Sequence, residues 1–170
     1  MRILLLTPTF LPVIGGAETA IFEIARRLGR NNQVLLLTPQ RPKEVLKHYK
    51  ITDPRYKITN FQVKRFSDWV SLNWLKYLPG AKHLFFPLSY TWAVLKNIFS
   101  FRPQAIVVFY LLPASLPVSL LGRLLGIPVV VFLLGRPDVV GPESPFWLKL
   151  YFRLTQFFTT KIIAITKFCV

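Results

Sequence analysis

The chain has 170 residues, a length that fits one domain with a full hydrophobic core. Hydrophobic residues make up 52% of it, and 22 Lys and Arg against 7 Asp and Glu give a net charge of +15, so we expect a polyanion or an anionic lipid surface as a partner. A single cysteine, Cys169, excludes an internal disulfide framework, and two distant histidines lead us to expect no metal site.

The chain opens with a pattern of strand, glycine loop, helix and strand. Residues 3–6 are a short apolar run, the pattern of a strand that is covered on both faces. Residues 17–28 carry one apolar stripe at helical spacing, and residues 33–37 are apolar again. The sequence therefore predicts a right-handed βαβ unit with parallel strands.

The glycine pair Gly15 and Gly16 follows the first strand at its carboxyl end, where open α/β sheets bind ligands. Two glycines let a ligand approach the backbone closely and permit a tight turn with positive φ. The next helix directs free N–H groups at the same place, which favours an anion such as a phosphate. The alternative is a purely structural turn, since neither the dinucleotide fingerprint nor a Walker loop is present.

The segment 41–102 is basic and aromatic, with twelve Lys or Arg and three acids. We predict a strand at 61–66, a short amphipathic helix at 69–78 that ends at the Pro-Gly pair 79–80, and a helix at 90–100. Part of this segment is predicted to lie on an anionic membrane; the residues for that role are Trp69, Trp74, Lys76, Lys82, Phe85, Phe86 and Lys96. The alternative is that the aromatics fill the core. The basic residues match no nucleic-acid module, so no nucleic-acid partner is expected.

Strands and helices alternate in the remaining sequence. Strands are predicted at 105–109, 128–133 and 161–165, helices at 114–125 and 145–158, and a loop at 135–138. The apolar stretch 105–122 reaches the lower length for a membrane span, but Pro113 and Pro117 favour a strand followed by a helix. The fold class is therefore α/β: one Rossmann-like, doubly wound, mainly parallel sheet over residues 1–170.

Three segments together resemble the N-terminal domain of retaining GT-B glycosyltransferases of family 4. They are LLLTPTFLPVIGGAETAIFEIARRL, PQAIVVFYLLPASLPVSLLGRLLGIPVVVFLLGRPDV and KIIAITKF, whereas 41–102 gives no match. The resemblance implies a metal-independent enzyme without a cofactor that moves a sugar from a nucleotide-sugar to an acceptor. It also implies that this half binds the acceptor and that a second half binds the donor.

The resemblance assigns candidate residues to the cleft between the halves. Gly15 and Gly16 would approach the donor phosphates, while the acceptor or cleft candidates are Glu18, Tyr110, Gly135, Arg136, Asp138 and Thr166. Glu18 has a structural alternative in the helix dipole, Tyr110 in core packing, and Thr166 in a helix N-cap. Arg136 and Asp138 have one in a surface ion pair.

Two departures from the family pattern affect the functional prediction. Positions where the family often has histidine carry Val107, Phe109 and Leu134, so no catalytic residue is assigned. The donor-binding half is not among these 170 residues. We therefore expect a truncated domain, inactive by itself, of a peripheral enzyme on the cytoplasmic membrane face with a lipid-linked or glycan acceptor. The alternatives are a non-catalytic binding module and a subunit of a split enzyme.

Overall fold

The computed structural model describes residues 1–40, 56–67, 81–110, 114–134 and 144–164. The strands are β1 (Arg2–Leu6), β2 (Gln33–Pro39), β3 (Gln62–Phe66), β4 (Ala105–Phe109), β5 (Val129–Leu133) and β6 (Lys161–Ala164). The helices are α1 (Gly16–Leu28), α2 (Ala81–Phe101), α3 (Ser115–Leu124) and α4 (Phe146–Phe158).

The six strands form one sheet in the order β3-β2-β1-β4-β5-β6, and every neighbouring pair is parallel. β1 lies at the centre, where Ile3 pairs with Val34 of β2 on one side and with Ala105 of β4 on the other. Its last four residues are buried, as expected for a strand covered on both faces. The predicted doubly wound parallel sheet is confirmed.

Alternate side chains of β1 divide the core into two clusters, because successive residues of a strand point to opposite faces. Ile3 and Leu5 pack with α1 through Ile21, Phe22 and Ala25. Leu4 and Leu6 pack on the other face, and their cluster includes residues of α2, of α3 and of the N-cap of α3: Tyr90, Val94, Ile98, Val118 and Ala114. Phe152 of α4 packs against the same cluster. One face of the sheet therefore carries α1, and the other carries a layer of α2, α3 and α4.

The helix α2 is the main departure from the predicted elements. It begins at Ala81, nine residues before the predicted start, and it contains Pro87. A proline usually marks the start or end of a helix, so the sequence favoured the later start. Thr91 donates a hydrogen bond to the Pro87 carbonyl over 2.7 Å, which satisfies that carbonyl within the helix. The helix predicted at 69–78 lies outside the described residues.

The apolar stretch 105–122 contains β4 and most of α3, and it does not form a single helix. None of the helices in the described ranges has the length and apolar content that crossing a membrane requires.

Candidate functional site

The candidate site lies at the carboxyl edge of the sheet, between β1 and β4. These two strands are neighbours, yet the chain leaves β1 towards β2 and leaves β4 towards β5, so the strand order reverses between them. The segments that follow β1 and β4 therefore diverge to opposite faces and leave a crevice, the usual ligand position in open α/β sheets.

The loop after β1 is anchored before it reaches the glycine pair. The Thr7 hydroxyl donates to the Thr9 carbonyl over 2.7 Å, which folds the start of the loop. Phe10 and Leu11 are buried against the α1 side of the sheet. Arg65 of β3 donates to the Leu11 carbonyl over 2.5 Å, and partial burial lowers the pKa of its guanidinium. The loop is thus fixed to the sheet at both its beginning and its middle.

Glu18 folds back over the start of its own helix. Its Oε1 accepts a hydrogen bond from the Thr9 hydroxyl over 2.5 Å. Its Oε2 lies 2.6 Å from where a Cβ on Gly15 would be. Gly15 is therefore needed for the close approach of this carboxylate, and its φ of −144° is extended rather than left-handed. The carboxylate also complements the positive end of the α1 dipole.

Gly16 differs from its neighbour because its side is open. Among the residues that the structure describes, a Cβ added there would meet no atom within 4 Å. Gly16 is the first residue of α1, where backbone N–H groups lack partners within the helix. Of the two glycines, Gly16 leaves space for a ligand, whereas the space beside Gly15 is occupied by Glu18.

Tyr110 ends β4 at the same edge with a φ of +70°, which is uncommon for a residue with a side chain. The Tyr110 N–H donates to the Phe132 carbonyl over 2.8 Å, and the Tyr110 carbonyl accepts a hydrogen bond from the Ser115 hydroxyl over 3.2 Å. The side chain is half-buried and contacts both core clusters. These contacts agree with the packing alternative for Tyr110 and leave an acceptor role as a prediction.

The residues at the family's histidine positions belong to the apolar core. Val107 and Phe109 are buried, and Leu134 packs against the same cluster on the α1 side. The Phe109 and Phe132 rings lie 5.6 Å apart between centroids. This part of the crevice wall is therefore apolar and provides no acid, base or hydrogen-bonding side chain.

A pocket of about 290 Å³, with a mixed polar and apolar lining, lies between the carboxyl half of β3 and α2. Lys64 and Lys96 line it together with the buried amide of Asn97, which accepts a hydrogen bond from Lys64 Nζ over 2.9 Å. A larger concavity of about 660 Å³ lies at the opposite, amino-terminal edge beside Met1 and Gln104. Parallel sheets bind ligands at the carboxyl edge, so the smaller pocket is the better candidate for a ligand site.

Sequence reasoning missed three residues of this region: Thr9, Arg65 and Lys64. The signal for Thr9 was a hydroxyl residue in the loop after the first strand, nine residues before Glu18. The signal for Lys64 and Arg65 was a basic pair within the predicted strand at 61–66. Neither pattern reveals its partner, because the contacts join distant parts of the chain.

Several predicted residues cannot be assigned a place in the site. Gly135, Arg136, Asp138, Thr166, Trp69, Trp74 and Lys76 lie outside the described residues. Lys82, Phe85 and Phe86 lie in α2, but only their backbone is described, whereas Lys96 is exposed on the same helix. Within the described ranges, no three His, Cys, Asp or Glu side chains are grouped as metal ligands would be.

A sequence model of the family described as Glycosyltransferase Family 4 matches residues 14–170. The match therefore includes both glycines and every strand after β1. No curated protein matches the chain significantly.

Solved structures share the fold of this chain, and two of the following three contain a nucleotide ligand. UDP-GlcNAc 2-epimerase from Neisseria meningitidis, bound to UDP-GlcNAc, aligns with 99% of this chain at 17% identity and a TM-score of 0.57. The glycosyltransferase SnogD from Streptomyces nogalater aligns with 98% at 17% identity and a TM-score of 0.52. Spinosyn rhamnosyltransferase SpnG, complexed with thymidine diphosphate, aligns with 96% at 17% identity and a TM-score of 0.51. The chain covers 41%, 43% and 45% of these proteins, respectively.

Proposed function

The chain belongs to Glycosyltransferase Family 4, and from that premise we propose that it is the acceptor-side half of an enzyme that transfers a sugar from a nucleotide-sugar. The acceptor is a lipid-linked or membrane-borne molecule. The observation that carries the proposal is the open side of Gly16 at the reversal of strand order between β1 and β4.

The donor phosphates bind beside Gly16. The first N–H groups of α1 point into the open space there, and the helix dipole favours a negative charge. The Glu18 carboxylate fills the space beside Gly15, so the phosphate binds on the Gly16 side. Glu18 accepts one hydrogen bond from Thr9, and its remaining lone pairs accept a hydrogen bond from a hydroxyl of the bound sugar.

The acceptor binds on the same edge of the sheet, towards β3 and α2. Lys64 and Lys96 provide positive charge at the pocket beside β3, which suits the phosphate of a lipid-linked acceptor. The cationic chain, at +15, suits attachment to an anionic membrane face. Retention of configuration and independence of metal rest on the family resemblance, whereas a location at the cytoplasmic membrane face rests on the charge and the aromatic content of the chain.

The experiment is a transfer assay with the full-length protein. Radiolabelled nucleotide-sugars are incubated with the protein and a membrane lipid extract, and label in the organic phase is counted. Transfer that persists with a metal chelator and gives a product of the donor's anomeric configuration supports the proposal. Absence of transfer with every donor, together with no binding of nucleoside diphosphates in calorimetry, contradicts it.

A non-catalytic binding module is the second candidate, and one observation favours it. Phe109 and Leu134 place core side chains where the family often has histidine, so polar contacts to a sugar are lost at both positions. Such a module binds a glycan or lipid-linked glycan but leaves the nucleotide-sugar intact. Binding of the acceptor without consumption of any donor favours the module over the enzyme.

A further inference from the structure

The helix α4 exposes a continuous apolar stripe to solvent. Phe146 is 79% exposed, and Trp147 and Phe157 are each 66% exposed. Leu150 and Leu154 complete the stripe, which we call the α4 stripe. With 3.6 residues per turn, all five residues fall within an arc of about 100°. Five large apolar side chains on one face of a 13-residue helix exceed the scattered exposure that is usual for soluble domains.

Contacts on the opposite side of α4 fix the rotation of the helix. The Leu116 N–H of α3 donates to the Tyr151 hydroxyl over 2.9 Å, and Thr155 is fully buried. Phe152 packs against the core on the inner side of the layer. The helix cannot turn the α4 stripe inward without breaking these contacts, so the exposure is built into the packing.

Positive charge borders the α4 stripe. Lys149 and Arg153 belong to the same helix, and the Arg123 guanidinium of α3 lies 5.3 Å from the centre of the Phe157 ring. The sequences of α2, α3 and α4 contain no Asp or Glu. Among the described residues, the two acids are Glu18 and Glu23, and both lie in α1 on the other face of the sheet.

We infer that the α4 stripe is a docking surface for an anionic lipid bilayer. Phe and Trp side chains enter the region between headgroups and acyl chains, and the adjacent cations bind the lipid phosphates. A bilayer matches both the apolar stripe and the positive charge of the described residues that border it. Exposed apolar residues continue across the same helical layer; they are Leu120 and Leu124 of α3 and Leu88, Trp92 and Phe99 of α2.

One end of this surface lies towards the sheet edge that holds the candidate site, and the inference rests in that respect on the proposed function. The helix α4 follows the carboxyl end of β5 and leads into the start of β6, so its Phe146 end lies towards the carboxyl edge. A bilayer against the α4 stripe would then present a lipid-linked acceptor to the edge that holds Gly16. The inference also moves the principal membrane contact from the segment 69–96 to α4.

The experiment measures binding of the full-length protein to vesicles of phosphatidylcholine, with and without phosphatidylglycerol, by sedimentation. One variant combines Lys149→Glu with Arg153→Glu, and its matched control combines Arg27→Glu with Arg30→Glu on the opposite side, which changes the net charge equally. A second variant combines Trp147→Ser with Phe157→Ser, and its control combines Ile14→Ser with Ile58→Ser. Thermal unfolding checks that each variant is folded.

Binding that requires phosphatidylglycerol and weakens with salt is expected. The Lys149/Arg153 variant should lose more than roughly thirtyfold in partitioning, because the loss of each cation near an anionic surface costs about fivefold and the two new carboxylates are also repelled. Both controls should bind like the wild-type protein. In a variant that retains Trp147 as its one tryptophan, with Phe at the other three, brominated lipid should quench the fluorescence.

Equal losses of vesicle binding in the variants and their controls, or Trp147 fluorescence that brominated lipid does not quench, would overturn the inference. So would a dimer that the Trp147/Phe157 variant abolishes in the absence of lipid binding, since a second copy would then cover the α4 stripe. Vesicle binding needs no donor or acceptor, so it is separable from sugar transfer. Loss of transfer to a water-soluble acceptor, with vesicle binding intact, would contradict the proposed function alone.

Discussion

The Thr9 hydroxyl donates a hydrogen bond to Glu18 Oε1 over 2.5 Å, and this contact joins the loop after β1 to the first turn of α1. It holds the carboxylate above Gly15 and leaves the space beside Gly16 open. The shape of the crevice at the reversal of strand order therefore depends on one pair of side chains.

Removal of this pair should reveal a coupling between the loop and the helix. Thr9→Val, Glu18→Ala and the double variant form a cycle, and urea unfolding gives the free energy of each. We expect a coupling of about 1–2 kcal/mol, because the partly buried bond involves a charged acceptor. The control is the exposed Arg26–Glu23 ion pair at 2.8 Å, which should couple by less than about 1 kcal/mol. Equal coupling in the two cycles would contradict the importance given to Thr9.

Gly16→Ala should separate ligand binding from stability. The new methyl group meets no atom of the described residues within 4 Å, and alanine favours the helix, so the free energy of unfolding should stay equal or rise by up to about 1 kcal/mol. Affinity for a nucleoside diphosphate should fall roughly tenfold, because the methyl group occupies the space for the phosphate. Calorimetric titration measures this change.

Two further variants test the same position. Gly15→Ala should displace the Glu18 carboxylate, since the new Cβ would lie 2.6 Å from Glu18 Oε2, but it should cost little stability because that oxygen ends a flexible side chain. Asn31→Ala lies in the concavity at the amino-terminal edge and should leave nucleotide affinity unchanged. A loss of affinity in Asn31→Ala, with none in Gly16→Ala, would move the nucleotide to the other edge of the sheet.

Gly122→Ala should destabilise the domain, because α3 packs closely on β5 at this glycine. An added Cβ would collide with the Val129 side chain and lie 2.9 Å from the Ile127 carbonyl. Overpacking of this kind costs about 1–3 kcal/mol, measurable by thermal or urea unfolding. Leu124→Ala on the same helix is the control; its side chain is 75% exposed, so a change within about 0.5 kcal/mol is expected.

Tyr151→Phe should weaken the contact between α3 and α4 and change how the free energy of unfolding depends on pH under alkaline conditions. The variant leaves the Leu116 N–H without its acceptor, at a cost of about 1–3 kcal/mol at neutral pH. Burial raises the pKa of Tyr151 above its ordinary 10.0, so above pH 10.0 the unfolded chain releases this proton before the folded one does. The wild-type protein therefore loses stability there through Tyr151, and the variant does not. The difference in free energy of unfolding between the wild-type protein and the variant should narrow above pH 10.0 in urea titrations. A constant difference would contradict a raised pKa of Tyr151 in the folded state.

The two central strands and the helix α1 were predictable because their signals are local. The apolar run of β1, the stripe of α1 and the residues of β4 are each set by neighbours in sequence. The start of α2 was predicted nine residues late, because Pro87 signals a boundary locally while packing of the helix tolerates it. For the candidate site, the sequence identified Gly15, Gly16 and Glu18 but neither the Thr9 contact nor the difference between the two glycines.

The sequence by itself determined the alternation of strands and helices, the parallel sheet and the family. Those properties follow from the periodicity of apolar residues and from motif spacing, which survive without any knowledge of distant contacts. The tertiary structure decided which glycine is open and which side of α4 faces solvent. The α4 sequence, FWLKLYFRLTQFF, is apolar around much of its circumference, so only the contacts of Tyr151, Phe152 and Thr155 select its buried side. Such selection depends on residues that are far apart in the chain and meet only in the folded state.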